Sequence, residues 1–229
     1  GAFTASALDC LAWRQTKNES WKHGRSHCDF CDAPISVQDL LPVVSFILRI
    51  GKTRCCKRQE VPWHFLLELL GVFGFLLATT HFLETRDLSI LLRDIILIVI
   101  AIYTAAKDLF SNLVFVPLTV FAILIFLLWP SQDSTIVLRA LGSWIGASLL
   151  FLPYILTKKK GIGGGDIWLG ALLGVVLGAW KIWPTLALAF VLGGAVAAFL
   201  LITKRKKRTD AIPFGPFLVL ALFIMYFFF

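Results

Sequence analysis

The stretch Gly161-Ile162-Gly163-Gly164-Gly165-Asp166 leads directly into an apolar run, and it is one of several breaks in a series of such runs. The runs cover residues 64–82, 88–106, 109–129, 136–156, 167–180, 182–203 and 212–229. Most are close to the roughly 20 residues that a helix needs to cross a bilayer. Residues 1–13 have the character of the end of one more helix, whose start is missing. We therefore predict an all-α polytopic membrane protein with about eight transmembrane helices, the first of them truncated.

The composition excludes a soluble protein of this size. Of the 229 residues, 58% are hydrophobic, and the chain contains 20 Phe and 8 Trp, which is more apolar surface than a soluble fold can bury. A net charge of +8 would favour nucleic acid as the partner of a soluble domain, but here the basic residues lie between the apolar runs. We expect a lipid bilayer as the surroundings and no nucleic-acid partner.

Basic residues mark every second connection between the runs. The Lys- and Arg-bearing connections are residues 14–58, Lys107, 158–160 and 204–208, whereas residues 84–87, residues 130–134 and the turn at Lys181 carry few. Because positively charged loops stay in the cytoplasm, we expect a multi-pass protein of the cytoplasmic membrane with both termini outside. Asp108 and Asp166 then face the cytoplasm.

The polar segment 14–62 contains four of the five cysteines and is too long for a simple loop. We expect it to form a small cytoplasmic domain after the first helix. The predicted organisation is the end of a transmembrane helix at 1–13, a cysteine domain at 14–62 and a transmembrane core at 63–229.

Two aspartates lie at the edges of apolar runs. Asp108 follows Ala105-Ala106-Lys107, and Asp166 ends the glycine stretch. An ionisable residue at the edge of the hydrocarbon is costly and usually functional, and the predicted topology puts both on one side. The structural alternative is that Asp166 is a helix N-cap and that Asp108 pairs with Lys107 or Lys160.

The glycines around Asp166 predict close approaches of the backbone. Gly170, Gly174 and Gly178 follow Asp166 at intervals of four residues, so they share a helix face that lets a neighbouring helix come close. The glycines before Asp166 permit a non-helical opening that an extended substrate could use. No Gly-Lys-Ser/Thr follows them, so the stretch is not a nucleotide-binding loop.

A pair of carboxyls a few ångströms apart can perform aspartic-protease chemistry. The two groups cannot both ionise readily, so they share one proton. One carboxylate then takes a proton from water while the other carboxyl donates to a scissile carbonyl. Asp108 and Asp166 are the candidate catalytic pair, and which is base and which is acid stays open because they titrate as a unit.

These residues resemble the motifs of bacterial prepilin peptidases, the type IV leader peptidases of the GxGD aspartyl protease family, and the resemblance covers nearly the whole chain. Its motifs are Gly163-Gly164-Gly165-Asp166, the earlier Asp108-Leu109, and Cys28-Asp29-Phe30-Cys31 followed by Gln38-Asp39-Leu40-Leu41-Pro42. Residues 62–70, with Glu68, are similar to the start of the next helix in that family.

The chain departs from the family pattern at two internal positions. Val114-Phe115-Val116 replaces the usual Ile-Pro-Asn after the first aspartate. In the second CxxC, Thr53 stands where the first cysteine would be and Cys56 at the second, with an extra Cys55 beside it. Neither departure touches the aspartates, so it bears on metal binding more than on peptidase activity.

The resemblance implies cleavage of the short basic leader from prepilins or pseudopilins on the cytoplasmic side. Many family members also N-methylate the new terminal residue with S-adenosylmethionine, and methylation here depends on that analogy alone. The resemblance also suggests substrate-gate and motif residues: Gly163, Gly164, Gly165, Glu68 and Lys107. For Glu68, three roles stay open: orienting an aspartate, binding the positive charge of the leader, or acting as a simple interfacial cap or lysine partner.

Cys28, Cys31, Cys55 and Cys56 form a C-x2-C pair and a C-C pair. Four thiolates suit a structural zinc, although adjacent cysteines bind one ion less easily. His23 or His27 could replace one thiolate. Free buried thiols are the alternative, because the reducing cytoplasm disfavours disulfides.

A different interpretation is a membrane transporter or metal-handling protein with Asp108 and Asp166 as ion ligands. Carriers bind their substrates near the bilayer midplane, and the runs here are almost uniformly apolar at their centres. A purely structural scaffold is the other alternative, and it leaves the glycine–aspartate turn unexplained. The sequence therefore favours the peptidase.

Overall fold

The computed structural model describes residues 1–17, 19–20, 26–28, 30–31, 33–60, 62–130, 135–157, 162–207 and 210–229. Within these residues the regular secondary structure is helical, which confirms the predicted all-α class. The helices are α1 (Ala2–Thr16), α2 (Val44–Leu48), α3 (Pro62–Thr85), α4 (Leu88–Ser111), α5 (Val116–Leu128), α6 (Ile136–Leu156), α7 (Gly164–Ile202) and α8 (Gly215–Phe228).

Among the described helices, α3, α4, α6 and α7 are long and apolar enough to cross a membrane by length and composition. Helices α5 and α8 are apolar but shorter, at 13 and 14 residues. A bilayer-spanning helix needs about 20 such residues. The chain is therefore a multi-pass membrane protein.

The predicted apolar run 109–129 is divided between two helices. Helix α4 continues to Ser111, and α5 begins only at Val116. Asn112 has a φ of 51°, a left-handed conformation that asparagine tolerates better than most residues and that ends a helix. Residues 109–111, the start of the predicted run, therefore belong to α4. Asp108 lies in the last turn of that helix.

The predicted runs 167–180 and 182–203 lie on one element, α7, that breaks within its length. The break is at Gly178, with φ 76° and ψ 176°, a conformation that is essentially restricted to glycine. The sequence placed the connection at Lys181, three residues too late. Hydropathy could not locate the break, because Leu177 and Ala179 on either side of Gly178 are apolar and the nearest charged residue is Lys181.

The chain folds into two compact units, Gly1–Ala106 and Lys107–Phe229. In the first unit α1 packs against α3, and polar pairs connect its helices. The carboxylate of Asp9 lies 2.5 Å from Nδ1 of His64, and that of Asp94 lies 2.7 Å from Nδ1 of His81. Such pairs satisfy polar groups that would be costly between apolar helices.

In the second unit α7 packs against α5, α6 and α8. Its glycine face meets a second pair of glycines four residues apart, Gly142 and Gly146 of α6. A methyl group placed on Gly170 would come within 2.6 Å of the carbonyl oxygen of Gly146, and Gly174 likewise faces Gly142. The close approach predicted for Gly170 and Gly174 is thus present, because only glycine leaves room for the neighbouring backbone.

Candidate active site

Asp108 lies in the last turn of α4 and is 5% exposed. Its Oδ2 accepts a hydrogen bond of 2.7 Å from the backbone N–H of Gly215, the first residue of α8. The positive end of the α8 dipole therefore faces this carboxylate and offsets part of the cost of burying it. The observed partner of Asp108 is thus the N-terminus of a helix and not Lys107. Lys160, the other candidate partner, lies outside the described residues.

Asp166 lies in the first turn of α7 and is 6% exposed. Its Oδ2 accepts a 3.0 Å hydrogen bond from the N–H of Gly163, the N-cap residue. The alternative of a helix-capping role is therefore partly correct, although Asp166 caps from the third helical position. Its other oxygen, Oδ1, is buried and has no hydrogen-bond partner among the described residues.

The two carboxylates belong to the same unit and lie close enough to interact electrostatically. Each is held by one backbone N–H at the start of a helix, Asp108 at α8 and Asp166 at α7. Two buried like charges near each other favour a state with one shared proton. The second unit thus holds two buried carboxyls that influence each other's ionisation.

The glycine stretch is less irregular than the sequence suggested. Gly163 is extended, with φ −73° and ψ 146°, but Gly164 and Gly165 already belong to α7. A methyl group on Gly165 would lie 2.6 Å from Cβ of Val114. Gly165 therefore serves to bring the start of α7 against the segment that follows α4, and the non-helical opening ends at Gly163.

Two contact residues of this site, Gly215 and Val114, were not predicted. A Gly-Pro pair at residues 215–216 is typical of a helix start, but nothing local to it indicates that it meets Asp108. Val114 stands where the family resemblance expects isoleucine, and nothing in the sequence indicates that it packs against Gly165. Lys107, predicted as part of the gate, is half-buried, and its carbonyl accepts from the Ser111 hydroxyl.

Glu68 lies in α3 of the first unit. Its Oε2 accepts a 2.7 Å hydrogen bond from the N–H of Val43. That residue has a φ of 62°, an unusual conformation for a β-branched side chain. Glu68 thus holds the strained start of the short helix α2, a role that sequence reasoning did not assign to it.

The four predicted zinc ligands converge in the first unit. The sulfur atoms of Cys28, Cys31, Cys55 and Cys56 all lie within 4.8 Å of one another. Individual separations are 3.9 Å for Cys28–Cys56, 3.3 Å for Cys31–Cys55 and 4.0 Å for Cys55–Cys56. A tetrahedral zinc with Zn–S bonds of about 2.3 Å requires sulfurs about 3.8 Å apart, so the donor set fits this ion.

Thr53, which stands where the family resemblance expects a cysteine, contacts this cluster. Its Oγ1 lies 3.1 Å from the sulfur of Cys56 and accepts a 3.0 Å hydrogen bond from the N–H of Arg58. Hydrogen bonds with Thr53 and the Arg58 backbone lower the pKa of the Cys56 thiol to about 7. Bonds with Cys31 and Cys28 raise the pKa of the more exposed Cys55 to about 12.

His27, a candidate to replace one of the four thiolates, contacts other residues in the structure. His27 lies 3.8 Å from a carboxylate oxygen of Glu19, and its ring meets that of Trp13 edge-on at 5.4 Å. Within the described residues, the group that could hold an ion comprises the four cysteines without it. His23 lies outside the described residues.

Two family models match the chain. The Bacterial Peptidase A24 N-terminal domain matches residues 1–82, which include the cysteine cluster and Glu68. The Type IV leader peptidase family matches residues 95–198, which include Asp108 and Asp166. No solved structure gives a significant match.

Curated relatives agree with these models. A protein of Aeromonas salmonicida named prepilin leader peptidase/N-methyltransferase is 31% identical over 202 residues, covering 86% of this chain and 69% of the relative. A Bacillus subtilis protein of the same name is 28% identical over 199 residues, covering 84% of this chain and 77% of the relative.

An Escherichia coli O78:H11 protein named type 4 prepilin-like proteins leader peptide-processing enzyme is 30% identical over 206 residues. The match covers 86% of this chain and 72% of that relative. A match over 86% of the chain includes residues of both compact units and of both regions that the family models match. The chain therefore belongs to the type IV leader peptidase family and is a leader peptidase.

Proposed function

We propose that this protein is a membrane-embedded aspartyl endopeptidase that removes the leader peptide of type IV prepilins or pseudopilins at the cytoplasmic face of the cell's inner membrane. The single observation that carries the proposal is the pair of buried carboxylates, Asp108 and Asp166, in one unit and in electrostatic reach of each other. The buried Oδ1 of Asp166, which has no hydrogen-bond partner among the described residues, also supports the proposal. The water that attacks the substrate must donate a proton to such an acceptor.

The mechanism starts from a pair that holds one proton between its two carboxyls. The carboxylate takes a proton from water while the resulting hydroxide adds to the scissile carbonyl carbon, and the protonated carboxyl donates its proton to the carbonyl oxygen. In the second step the carboxyl that took the proton of water donates it to the amide nitrogen, and the other carboxylate takes a hydroxyl proton from the tetrahedral intermediate. The C–N bond then breaks, the leader leaves with a new carboxyl terminus, and the pair again holds one proton. Gly215 and Gly163 keep the two groups in place by one N–H bond each.

The substrate class follows from the names of the relatives, which are prepilin leader peptidases and a prepilin-like leader peptide-processing enzyme. The cytoplasmic orientation is supported by the basic connections, since residues 158–160 and 204–208 belong to the loops that the positive charges keep inside. We also propose that the segment 14–62 works as a cytoplasmic domain beside a peptidase core at 63–229.

The cysteine cluster is proposed to hold a structural zinc through Cys28, Cys31, Cys55 and Cys56. The sulfur separations fit one tetrahedral ion, and the reactive carboxylates require no metal. N-methylation of the new terminus, with S-adenosylmethionine as the donor, is proposed as a second activity, since relatives are named as N-methyltransferases as well.

The test of the peptidase is leader cleavage by purified variants. Asp108→Asn and Asp166→Asn should each abolish cleavage, since an amide neither takes the proton of water nor shares one with its partner. The double variant should be no worse than either single one, as expected of residues that act as a unit.

The matched control is Asp210→Asn, an exposed aspartate that also accepts one backbone N–H, from Lys207 at 2.8 Å. It should cleave at the wild-type rate. Substantial cleavage by folded Asp108→Asn or Asp166→Asn would overturn the aspartyl mechanism. Intact prepilin after long incubation with folded wild-type protein would favour the transporter interpretation.

A further inference from the structure

The polar segment between α1 and α3 is rich in exposed aliphatic side chains. Within residues 40–50, large aliphatic residues between 46% and 82% exposed are Leu40, Leu41, Val44, Ile47, Leu48 and Ile50. Apolar patches on a protein surface mark sites of contact with a membrane or with another protein. Neither the carboxylate pair nor the cysteine cluster accounts for this patch.

The short helix α2 has the opposite polarity to that of a helix in water. Val44, Ile47 and Leu48 share one face, because residues three and four apart lie on the same side of a helix, and this face is exposed. Arg49, directly after α2, is turned inward instead: its side chain is only 18% exposed and is paired with two carboxylates. An aliphatic surface outside and a charge inside are favourable where the surroundings are not water.

Contacts with α3 fix the level of α2 along that apolar helix. The backbone N–H of Val43 donates to Glu68, and the ring of Phe46 stacks on that of Phe65 with centroids 4.5 Å apart. Phe65 and Glu68 lie in the first two turns of α3, which begins at Pro62, so α2 lies beside roughly the first 10 Å of this helix. Amphipathic segments at a membrane interface are buried to a depth of about 5–10 Å.

The same turns of α3 carry apolar side chains that are open to the surroundings. Trp63 and Leu66 are 38% and 48% exposed, and tryptophan is enriched where a membrane helix meets the lipid headgroups. Because α2 lies at the level of these turns, the bilayer around the start of α3 also reaches the exposed face of α2. The page of lipid that covers the one covers the other.

Basic side chains accompany the apolar patch. Lys52, Arg54, Lys57 and Arg58 are exposed and follow it within the next eight residues. Basic residues beside an apolar face attract the headgroups of anionic lipids. They repel the short basic leader that the family resemblance attributes to prepilins, so the charge favours lipid over substrate as the occupant.

We propose that residues 40–50 lie in the bilayer interface and bind anionic phospholipid, with Leu48 and Ile50 among the acyl chains and Lys52 and Lys57 at the headgroups. The exposed aliphatic face of α2, at the level of the first turns of α3, carries the proposal. The polar segment is then attached to the membrane between its two flanking helices as well as through them. The proposal is independent of the peptidase and methylation activities.

Site-specific photocross-linking tests the position of this segment. The photoreactive residue p-benzoylphenylalanine replaces Leu48, or in a second variant Ile50, in the full-length protein. The protein is placed in nanodiscs of equal parts phosphatidylglycerol and phosphatidylcholine, with no prepilin present. After irradiation we expect phospholipid adducts at both positions, measured by mass spectrometry.

The matched control is the same photoreactive residue at Lys17, an exposed position directly after α1. Helices α1 and α3 are antiparallel, since Ala5 faces Gly71 and Asp9 contacts His64. Lys17 follows Asp9 by eight residues, so it lies about 12 Å past the level of His64, away from the bilayer. Its phospholipid adduct should be at least tenfold weaker than those at the two test positions.

The lysines are tested by combining Lys52→Gln with Lys57→Gln. With both lysines present, phosphatidylglycerol should exceed phosphatidylcholine at least threefold among the adducts at residue 50. The double substitution should bring this ratio close to one, because the attraction for the anionic headgroup is lost. A ratio close to one with both lysines present would overturn the preference for anionic lipid.

Absence of phospholipid adducts at residues 48 and 50, in variants that melt like wild type, would overturn the proposal. Adducts to a second copy of the chain would overturn it too, and so would replacement of the lipid adducts by prepilin adducts when prepilin is added. If the photoreactive residue at one position prevents folding, the other position gives the result. Because the assay does not measure cleavage, a failed cleavage test and a failed cross-linking test are independent results.

Discussion

The backbone N–H of Gly215 donates to Oδ2 of Asp108 across 2.7 Å, so the first residue of α8 holds a carboxylate at the end of α4. The absence of a side chain at residue 215 is part of this arrangement. A methyl group there would lie 2.8 Å from Oδ2 and 3.1 Å from Cβ of Asp108. Gly215 thus bonds to Asp108 and leaves it room.

Gly215→Ala should reduce leader cleavage by about tenfold to a hundredfold, because a catalytic group displaced by a fraction of an ångström loses its productive geometry. The fold should survive, since only a side chain has to move. Cleavage of a prepilin at saturating concentration, with melting temperature as a second readout, measures the effect. The control Gly194→Ala adds a methyl group to open space in α7, and equal activity of the two variants would show that the contact is dispensable.

Gly165→Ala should impair cleavage more than Gly164→Ala. The added methyl group at residue 165 would lie 2.6 Å from Cβ of Val114, whereas at residue 164 the nearest atom is a Tyr154 oxygen at 3.7 Å. Combining Gly165→Ala with Val114→Gly should restore part of the activity, because the second change removes Cβ and Cγ2 of residue 114, which would lie 2.6 Å and 2.9 Å from the added methyl group. A double variant no better than Gly165→Ala alone would argue against this contact.

Gly178→Ala should destabilise the protein through the backbone alone. A methyl group there meets nothing within 4 Å, but φ is 76°, and holding a non-glycine residue in such a region costs about 1–3 kcal/mol. The melting temperature in detergent should fall relative to Gly194→Ala. An unchanged melting temperature would contradict the predicted backbone strain at residue 178.

Zinc removal should unfold the cysteine cluster, because in such sites metal binding supplies folding energy. Metal analysis should give one zinc in wild type and less in Cys28→Ser and Cys56→Ser. Cys55→Ser should do less damage than Cys56→Ser, since Cys56 is the less exposed thiol and the one that Thr53 holds.

Thr53→Val keeps the size of the side chain and removes the hydroxyl that contacts Cys56, so it should weaken zinc retention during chelator challenge without abolishing it. Equal zinc content in wild type, Cys28→Ser and Cys56→Ser would contradict the metal site.

The sequence by itself determined the helical class, the approximate extent of most helices and the two aspartates. These features are local: a run of apolar residues specifies a membrane helix, and a charged residue at its edge is conspicuous. The glycine spacing at Gly170 and Gly174 also predicted a close helix contact, because residues four apart share one face of a helix.

Only the tertiary structure decided where α7 breaks, that Gly215 holds Asp108, and that four cysteines from distant positions meet. Gly178 follows Gly170 and Gly174 at the same four-residue interval, so the sequence does not single it out as the position with a non-helical conformation. Gly215 lies 107 residues from Asp108 in sequence, so no local pattern connects the two. Such features arise from contacts between segments whose sequences carry no local sign of one another.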